Sequence, residues 1–153
     1  MNERLTAGEI CTREVAIAFR HTDLATAAKL MREYHVGALV VVDETQDLRT
    51  VAGLLTDRDI VISVIAPELA PETLRVGEVM SAKPVTVTED ASLLDVMRSM
   101  RAHGVRRIPV VTDQQELVGL VALDDILEVL AQELGLLAAT IGTGIQRERA
   151  QRL

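Results

Sequence analysis

Hydrophobic and polar positions follow the same order of patterns twice along this 153-residue chain. Each pass opens with a short β-prone stretch, at 15–19 and again at 85–88, and continues with apolar residues three and four positions apart. That spacing is typical of an amphipathic helix. Two runs rich in β-branched residues follow, and a second helical stretch closes the pass. The order predicts two β-α-β-β-α copies.

The bounds of the elements follow from capping residues and polar turns. The first helix of each copy is expected to end near Tyr34 and near His103, and the second to start near Asp57 and near Asp124. The candidate N-caps are Thr22 or Asp23 in one copy and Asp90 or Ser92 in the other. The remaining strands are predicted over 38–42, 51–55, 108–111 and 117–121, with polar turns over 43–50 and 112–116.

The two copies align residue by residue. Leu24 corresponds to Leu93 at an offset of 69 positions, and Gly53 to Gly119 at an offset of 66. A β-α-β-β-α unit leaves part of its sheet uncovered, so the copies are expected to pack sheet to sheet. The predicted fold class is α+β. The expected parts are a first domain at 8–66, a linker at 67–75, a second domain at 76–134 and a C-terminal tail at 135–153.

The tail carries a different pattern from either copy. Ile126 to Leu137 indicates a long apolar helix, and the glycine-rich stretch from Thr140 to Gly144 is expected to break or bend it. Two interpretations stay open: the helix covers the second copy, or it makes a dimer contact.

Composition and charge narrow the functions. Tyr34 and Phe19 are the only aromatic residues apart from histidine, so a base-binding pocket is expected to have aliphatic walls. A net charge of -7 makes a nucleic-acid partner unfavourable. The single cysteine, Cys11, excludes an intramolecular disulfide and a cysteine-rich zinc site. Its counterpart in the second copy is Met80, which favours a buried apolar role.

Neither a membrane location nor catalysis is indicated. The N-terminus lacks the pattern of a signal peptide, and apolar runs such as 37–42 and 51–55 are too short to span a bilayer. A cytoplasmic location is expected. The chain contains no nucleophile elbow, P-loop, dinucleotide fingerprint or zinc-protease motif. His21, His35 and His103 lie in unrelated contexts, so we predict no catalytic residue, no metal site and no cofactor.

The stretch from Gly53 to Asp59 is the strongest candidate for chemistry. It places Thr56 at a strand end and Asp59 three residues later, at the start of a helix. One interpretation is a helix cap. The other is a nucleotide site, because a helix N-terminus favours phosphate and an aspartate accepts both hydroxyls of a ribose. Spacing alone does not decide between them.

Taken together, these repeated motifs resemble a known family. The run from Gly104 to Val111, with its Ile-Pro-Val-Val strand, and the run from Gly53 to Asp59 are similar to the tandem CBS domain pair, or Bateman module. Leu55 to Ile60 also resembles the small stand-alone CBS-pair proteins of bacteria. The resemblance covers about residues 8–134. It implies a sandwich of two sheets with pseudo-twofold symmetry, dimerisation into a flat disc and clefts that bind adenosine-containing ligands.

The resemblance also implies roles for particular residues. The aspartate of the motif holds the ribose, the hydroxyl residue contacts phosphate or sugar, and the first strand of the same copy lines the adenine. Basic residues before the Pro-Val strand of the opposite copy reach the phosphates. The implied nucleotide-binding residues are Thr56, Asp59, Ala16, Ile17, Arg106, Arg107 and Pro109.

The second copy departs from the family pattern. Ala122 stands where the hydroxyl is expected, although Asp125 is retained. If each cleft combines one copy's motif with the other copy's pre-strand residues, Arg106 and Arg107 join Thr56 and Asp59. Asp125 then faces Gly37 and Ala38, which are the counterparts of the two arginines. We therefore expect one competent nucleotide site, and a weaker second cleft at Ala122 and Asp125.

The expected function is that of a regulatory module without catalysis. Its ligand would be AMP, ADP or ATP, and its partners a second copy of the chain and a protein effector in trans. The alternative is an interaction or scaffold dimer whose clefts are empty.

Overall fold

Two sheets flanked by helices form in the computed structural model, which describes residues 5–152. The predicted α+β class with two β-α-β-β-α repeats is confirmed. In chain order the elements are α1 (Ala7–Ile10), β1 (Ile17–Phe19), α2 (Leu24–Tyr34), β2 (Ala38–Thr45), β3 (Leu48–Thr56), α3 (Asp57–Ile60), a π-helical turn (Val61–Ile65), a 3-10 turn (Pro71–Thr73), α4 (Val76–Val79), β4 (Ser81–Ala82), β5 (Val87–Thr88), α5 (Leu93–His103), β6 (Arg107–Val111), β7 (Leu117–Ala122) and α6 (Leu123–Gln151).

Helices α2 and α5 begin and end where their local signals predict. The Asp23 carboxylate accepts a hydrogen bond from the backbone N–H of Thr26 at 2.8 Å, and the Ser92 hydroxyl accepts one from Asp95 at 3.1 Å. Both helices are followed by a residue in the left-handed conformation, His35 with φ 53° and Gly104 with φ 63°. Such a residue commonly ends a helix.

The hairpin between β2 and β3 is longer than the sequence predicts. The polar pattern predicts a turn over 43–50, but only Gln46 and Asp47 form it, with φ values of 50° and 66°. Two consecutive positive φ values fit the tight turns that match strand twist. Glu44 and Arg49 face each other across the hairpin in an ion pair of 2.7 Å. The ends of β2 and β3 are exposed and carry polar side chains, so the sequence pattern predicts a turn where the strands in fact continue.

Each copy completes the hydrophobic core of the other. Ala7 from α1, at the start of the chain, is fully buried in the core formed by α5, β6 and β7. Val76 from α4, at the start of the second copy, is likewise buried in the core around α2, β2 and β3. The exchange continues in the sheets, where β4 pairs with β3 and Thr12 forms an antiparallel bridge with Leu120.

Glycines allow the exchanged segments to approach so closely. A Cβ on Gly119 would lie 2.6 Å from both the Cys11 Sγ and the Thr12 carbonyl oxygen. In the other copy, a Cβ on Gly53 would lie 2.5 Å from the Met80 Sδ. The two contacts are equivalent, which agrees with the correspondence of Cys11 and Met80 in the repeat.

Helix α6 continues without interruption through the glycine-rich stretch. The predicted break between Thr140 and Gly144 is wrong, because 29 residues from Leu123 to Gln151 form one helix. Each internal glycine costs only about 1 kcal/mol relative to alanine. The hydroxyls of Thr140 and Thr143 donate to the carbonyls of Leu136 and Ala139 within the helix.

Candidate functional site

Both strand-to-helix turns are closed by an aspartate. The Thr56 N–H donates to the Asp59 Oδ2 at 2.9 Å, and the Asp59 N–H donates to the Thr56 Oγ1 at 3.1 Å. The capping interpretation of this motif is therefore confirmed. At the second turn the Ala122 N–H donates to the Asp125 Oδ2 at 2.9 Å. Asp125 thus adopts the same position as Asp59 without a hydroxyl partner.

A cavity of about 210 Å³ lies between the two copies beside the second turn, and we call it the Asp125 cleft. The first copy contributes the segment before β1 and the start of β2, and the second copy contributes β6, β7 and the start of α6. The lining residues are Thr12, Glu14, Val15, Ala16, Val36, Gly37, Ala38, Arg107, Leu120, Ala122 and Asp125.

Arg107 reaches across this cleft from one copy to the other. Its backbone pairs with Ala122 between β6 and β7. Its Nη2 lies 3.5 Å from the position that a Cβ on Gly37 would occupy. The Asp57 Oδ2 lies 3.1 Å from the same position. Because Gly37 has no side chain, the Arg107 guanidinium can lie close to its backbone, and the cavity stays open. A larger residue at position 37 would fill this space.

The cleft combines apolar walls with a few charged groups. Val15, Ala16 and Leu120 provide aliphatic surface. The charged groups are the carboxylates of Glu14 and Asp125 and the guanidinium of Arg107. Asp125 also lies in the first turn of α6. The helix dipole gives that helix end a partial positive charge, which favours an anionic ligand.

This cavity brings together residues that the sequence analysis assigns to different clefts. The resemblance assigns Ala16 and Arg107 to the cleft of Thr56 and Asp59, and both line the cavity with Asp125. The backbone of Arg107 pairs with Ala122, just as that of Ala38 pairs with Thr56. The Arg107 guanidinium lies near Gly37 and Asp57 of the first copy, so this side chain lies between the two turns.

The other implied residues lie around this cleft but outside its lining. Arg106 is exposed, and its carbonyl accepts a hydrogen bond from the Leu123 N–H at 2.8 Å. Pro109 is buried in β6 opposite Leu120. Ile17 lines a neighbouring cavity of about 400 Å³.

Sequence reasoning missed several lining residues. The neighbouring cavity is formed by Glu14, Val15, Ala16, Ile17, Leu30, Tyr34 and Val36, of which four also line the Asp125 cleft. Tyr34 therefore places an aromatic ring beside the cleft, where the composition predicts only aliphatic walls. A signal exists in the sequence, because Tyr34 and Val36 closely precede Gly37.

Cys11 lies next to this site without a partner for catalysis. Its thiol donates to the Gly8 carbonyl at 3.4 Å, and the residue packs against the second core. Burial raises the pKa of the Cys11 thiol, and the Asp125 carboxylate adds to the increase, while Arg13 opposes it. Within residues 5–152 no group of three or more His, Cys, Asp or Glu side chains is arranged to hold a metal ion.

Known proteins are similar to this chain over most of its length. The CBS domain family matches twice, at residues 7–65 and 76–132. The protein MK0525 of Methanopyrus kandleri is 32% identical over 125 residues, which are 82% of this chain and 62% of that protein. Hypoxic response protein 1 of Mycobacterium tuberculosis is 38% identical over 121 residues, covering 79% of this chain and 82% of that protein.

Two solved structures share this fold. The first is hypoxic response protein I with two coordinated zinc ions, with a TM-score of 0.70 and 37% identity over 81% of this chain and 98% of that one. The second is the cytosolic domain of the Mg²⁺ channel MgtE in complex with ATP. It has a TM-score of 0.68 and 28% identity, covering 81% of this chain and 48% of that one.

Proposed function

Because the chain belongs to the CBS domain family, we propose that it is a regulatory module that binds an adenine nucleotide in the Asp125 cleft and performs no catalysis. The observation that carries the proposal is the composition of that cleft, in which the carboxylates of Glu14 and Asp125 and the guanidinium of Arg107 flank an aliphatic surface between the two copies. A protein effector in trans then responds to the occupied form.

Each part of a nucleotide has a matching group in the cleft. Asp125 uses Oδ2 to hold the Ala122 N–H, and its carboxylate retains acceptor capacity for the ribose hydroxyls. Val15 and Ala16 offer an apolar surface for the base. Arg107 and the N-terminus of α6 attract the phosphates.

Relatives support this proposal. The cytosolic domain of MgtE, which is 28% identical and shares the fold, was solved with ATP. We infer that the ligand here is AMP, ADP or ATP. The presence of a single guanidinium in the cleft favours a ligand with few phosphates.

The test measures binding of AMP, ADP and ATP by calorimetry and thermal shift. A ligand at about 100 times its Kd is expected to stabilise the fold by roughly 2.7 kcal/mol. Asp125→Ala should abolish binding, because the ribose loses its acceptor. Gly37→Leu should abolish it by filling the cleft while all polar groups remain. Asp59→Ala is the matched control, because it removes the equivalent carboxylate of the first turn.

The outcomes separate the alternatives. Loss of binding in Asp125→Ala and Gly37→Leu, with binding retained in Asp59→Ala, supports the Asp125 cleft. The opposite pattern would place the ligand at Thr56 and Asp59. If none of the three nucleotides stabilises the wild type, the nucleotide proposal fails and the interaction module with empty clefts takes its place.

A further inference from the structure

Most of helix α6 projects beyond the core of the second copy. All residues from 131 to 152 are exposed, although many of them are apolar. Large side chains on this segment show high exposed fractions, 66% for Leu134, 64% for Leu137 and 67% for Ile141. Surface helices of a folded domain normally bury their apolar stripe. This helix end therefore requires a partner that the single chain does not provide.

Five large apolar residues of α6 form one stripe with the period of a coiled coil, whereas Leu136, which is 71% exposed, and Ile145, which is 47% exposed, lie outside it. The five residues are spaced alternately three and four positions apart, which places them at the a and d positions of a heptad repeat. We call this set the α6 stripe, and its members are Leu127, Leu130, Leu134, Leu137 and Ile141. Leu130 packs partly against the second core, so the free part of the stripe begins at Leu134.

Charges on α6 are separated along its length. No charged residue occurs between Glu133 and Arg147. On the N-terminal side all the charged residues are acidic, and on the C-terminal side basic residues predominate. The acidic group is Asp124, Asp125, Glu128 and Glu133; the C-terminal group is Arg147, Glu148, Arg149 and Arg152.

We propose that the α6 stripe binds the α6 stripe of a second copy of this chain in an antiparallel coiled coil. An antiparallel arrangement places the acidic end of one helix beside the basic end of the other. With Leu137 packed on the partner's Ile141, Glu133 lies opposite Arg147 at the flanking g positions, and the reciprocal pair forms by symmetry. The proposed pairing is independent of nucleotide binding.

Small residues lie where such a pair would cross. Ala138 and Thr140 occupy the positions that flank the seam next to the twofold axis, and Gly144 occupies the d position that receives Leu134. Small side chains allow two helices to approach closely. Gly144, which weakens α6 as an isolated helix, therefore leaves room for Leu134 of the partner subunit.

Two alternatives, a parallel pair of helices and insertion into a membrane, agree less well with these observations. A parallel pair would place Glu133 beside Ala138 and leave the acidic and basic groups of α6 without partners of opposite charge. By length and composition α6 is also able to cross a membrane, since an 18-residue window has a mean hydropathy of 1.4. However, the uncharged stretch 134–146 rises only about 20 Å, and a bilayer core is about 30 Å thick.

The test uses charge reversal, measured by analytical ultracentrifugation. Glu133→Arg and Arg147→Glu each replace two attractions of the dimer with two repulsions, which should raise the dimer dissociation constant roughly tenfold. The double variant should restore the wild-type value. The two residues lie about 21 Å apart within one helix, so restoration cannot arise inside a single chain. Glu72→Arg, in the 3-10 turn, is the control.

Crosslinking provides a second measurement that does not depend on overall oligomeric state. In a Cys11→Ser background, Ala131→Cys and Ile145→Cys should crosslink to each other through a short bismaleimide when the two proteins are mixed. Neither should crosslink with itself. Self-crosslinking at 131 would indicate a parallel pair and overturn the proposal. A monomer, or a monomer that floats with phosphatidylcholine vesicles, would overturn it as well.

Discussion

At the scale of single residues, Arg107 connects the repeats. Its backbone belongs to the second copy opposite Ala122, and its guanidinium extends to Gly37 of the first. The equivalent position in the first copy is Ala38, which is too short to make the reciprocal contact. Together with Thr56, whose counterpart is Ala122, the Arg107 side chain makes the two turns differ.

Cys11 offers a chemical probe of this region. Because burial and the Asp125 carboxylate raise the pKa of the thiol, little thiolate forms near neutral pH. We expect Ellman's reagent to react more slowly with the folded protein than with the urea-unfolded protein at about pH 7.5, below the ordinary thiol pKa. The rate should increase as the pH rises towards the raised pKa.

The sign of the accompanying stability change follows from the same shift. The folded state holds the Cys11 proton more tightly than the unfolded state, so this contribution is complete below the ordinary thiol pKa of about 8.5. It is lost as the pH rises through the folded pKa. Asp125→Asn removes one of the charges that raise the pKa and should accelerate labelling. An unchanged rate in that variant would contradict the arrangement.

At the scale of elements, local signals are readable in the sequence and distant ones are not. Asp23 and Ser92 cap their helices through residues three positions away, so the ends of α2 and α5 follow from sequence. The placement of Arg107 depends on the register of β6 against β7, which spacing does not reveal. Helix α6 continues through its glycines because each one costs only about 1 kcal/mol of helix stability. The residue pattern does not show whether the other residues of the helix offset that cost.

The two glycines beneath the exchanged segments should be intolerant of alanine. In Gly119→Ala the new Cβ meets the Thr12 carbonyl oxygen, which backbone packing holds in place. We expect destabilisation of about 1–3 kcal/mol, measured by urea denaturation. Gly53→Ala should behave similarly, because its Cβ would lie 2.9 Å from the Ser81 carbonyl oxygen.

Helix α6 provides the contrasting control. A Cβ on Gly142 would meet no other atom of residues 5–152 within 4 Å, apart from the backbone and neighbours of its own helix. Gly142→Ala should therefore increase helix content by circular dichroism and stabilise the helix by up to about 1 kcal/mol. If Gly119→Ala proved as harmless as Gly142→Ala, the close approach of Thr12 to β7 would be wrong.

At the scale of the whole molecule, neither repeat is structurally independent. The core around α2 contains Val76 and Met80 from the start of the second copy, and the core around α5 contains Ala7 from the start of the chain. A sequence repeat predicts two similar halves, and the structure contains them. Because the repeat only matches one half to the other, it gives no information about segments that cross between halves.

We therefore expect the two halves to unfold together. The chain contains a single tyrosine, Tyr34 in α2, and no tryptophan, so tyrosine fluorescence reports on the first half alone. Far-UV circular dichroism reports on both halves. Their urea transitions should coincide, as in two-state unfolding. Separate midpoints would show that the exchanged segments do not couple the cores.

The exchange of α1 and α4 also bears on how such a chain arises. A single repeat would have an exposed hydrophobic site, which the short helix at the start of the other repeat fills in this protein. Its own short helix, the equivalent of α1 or α4, would have no core to pack against. Two identical single-repeat chains would satisfy each other by trading these helices. The stretch 67–75 joins the two halves covalently, so the protein has the architecture of a domain-swapped dimer fused into one polypeptide. Within one polypeptide the two halves are free to differ in sequence, and Ala122 beside Arg107, where the first half has Thr56 beside Ala38, is such a difference.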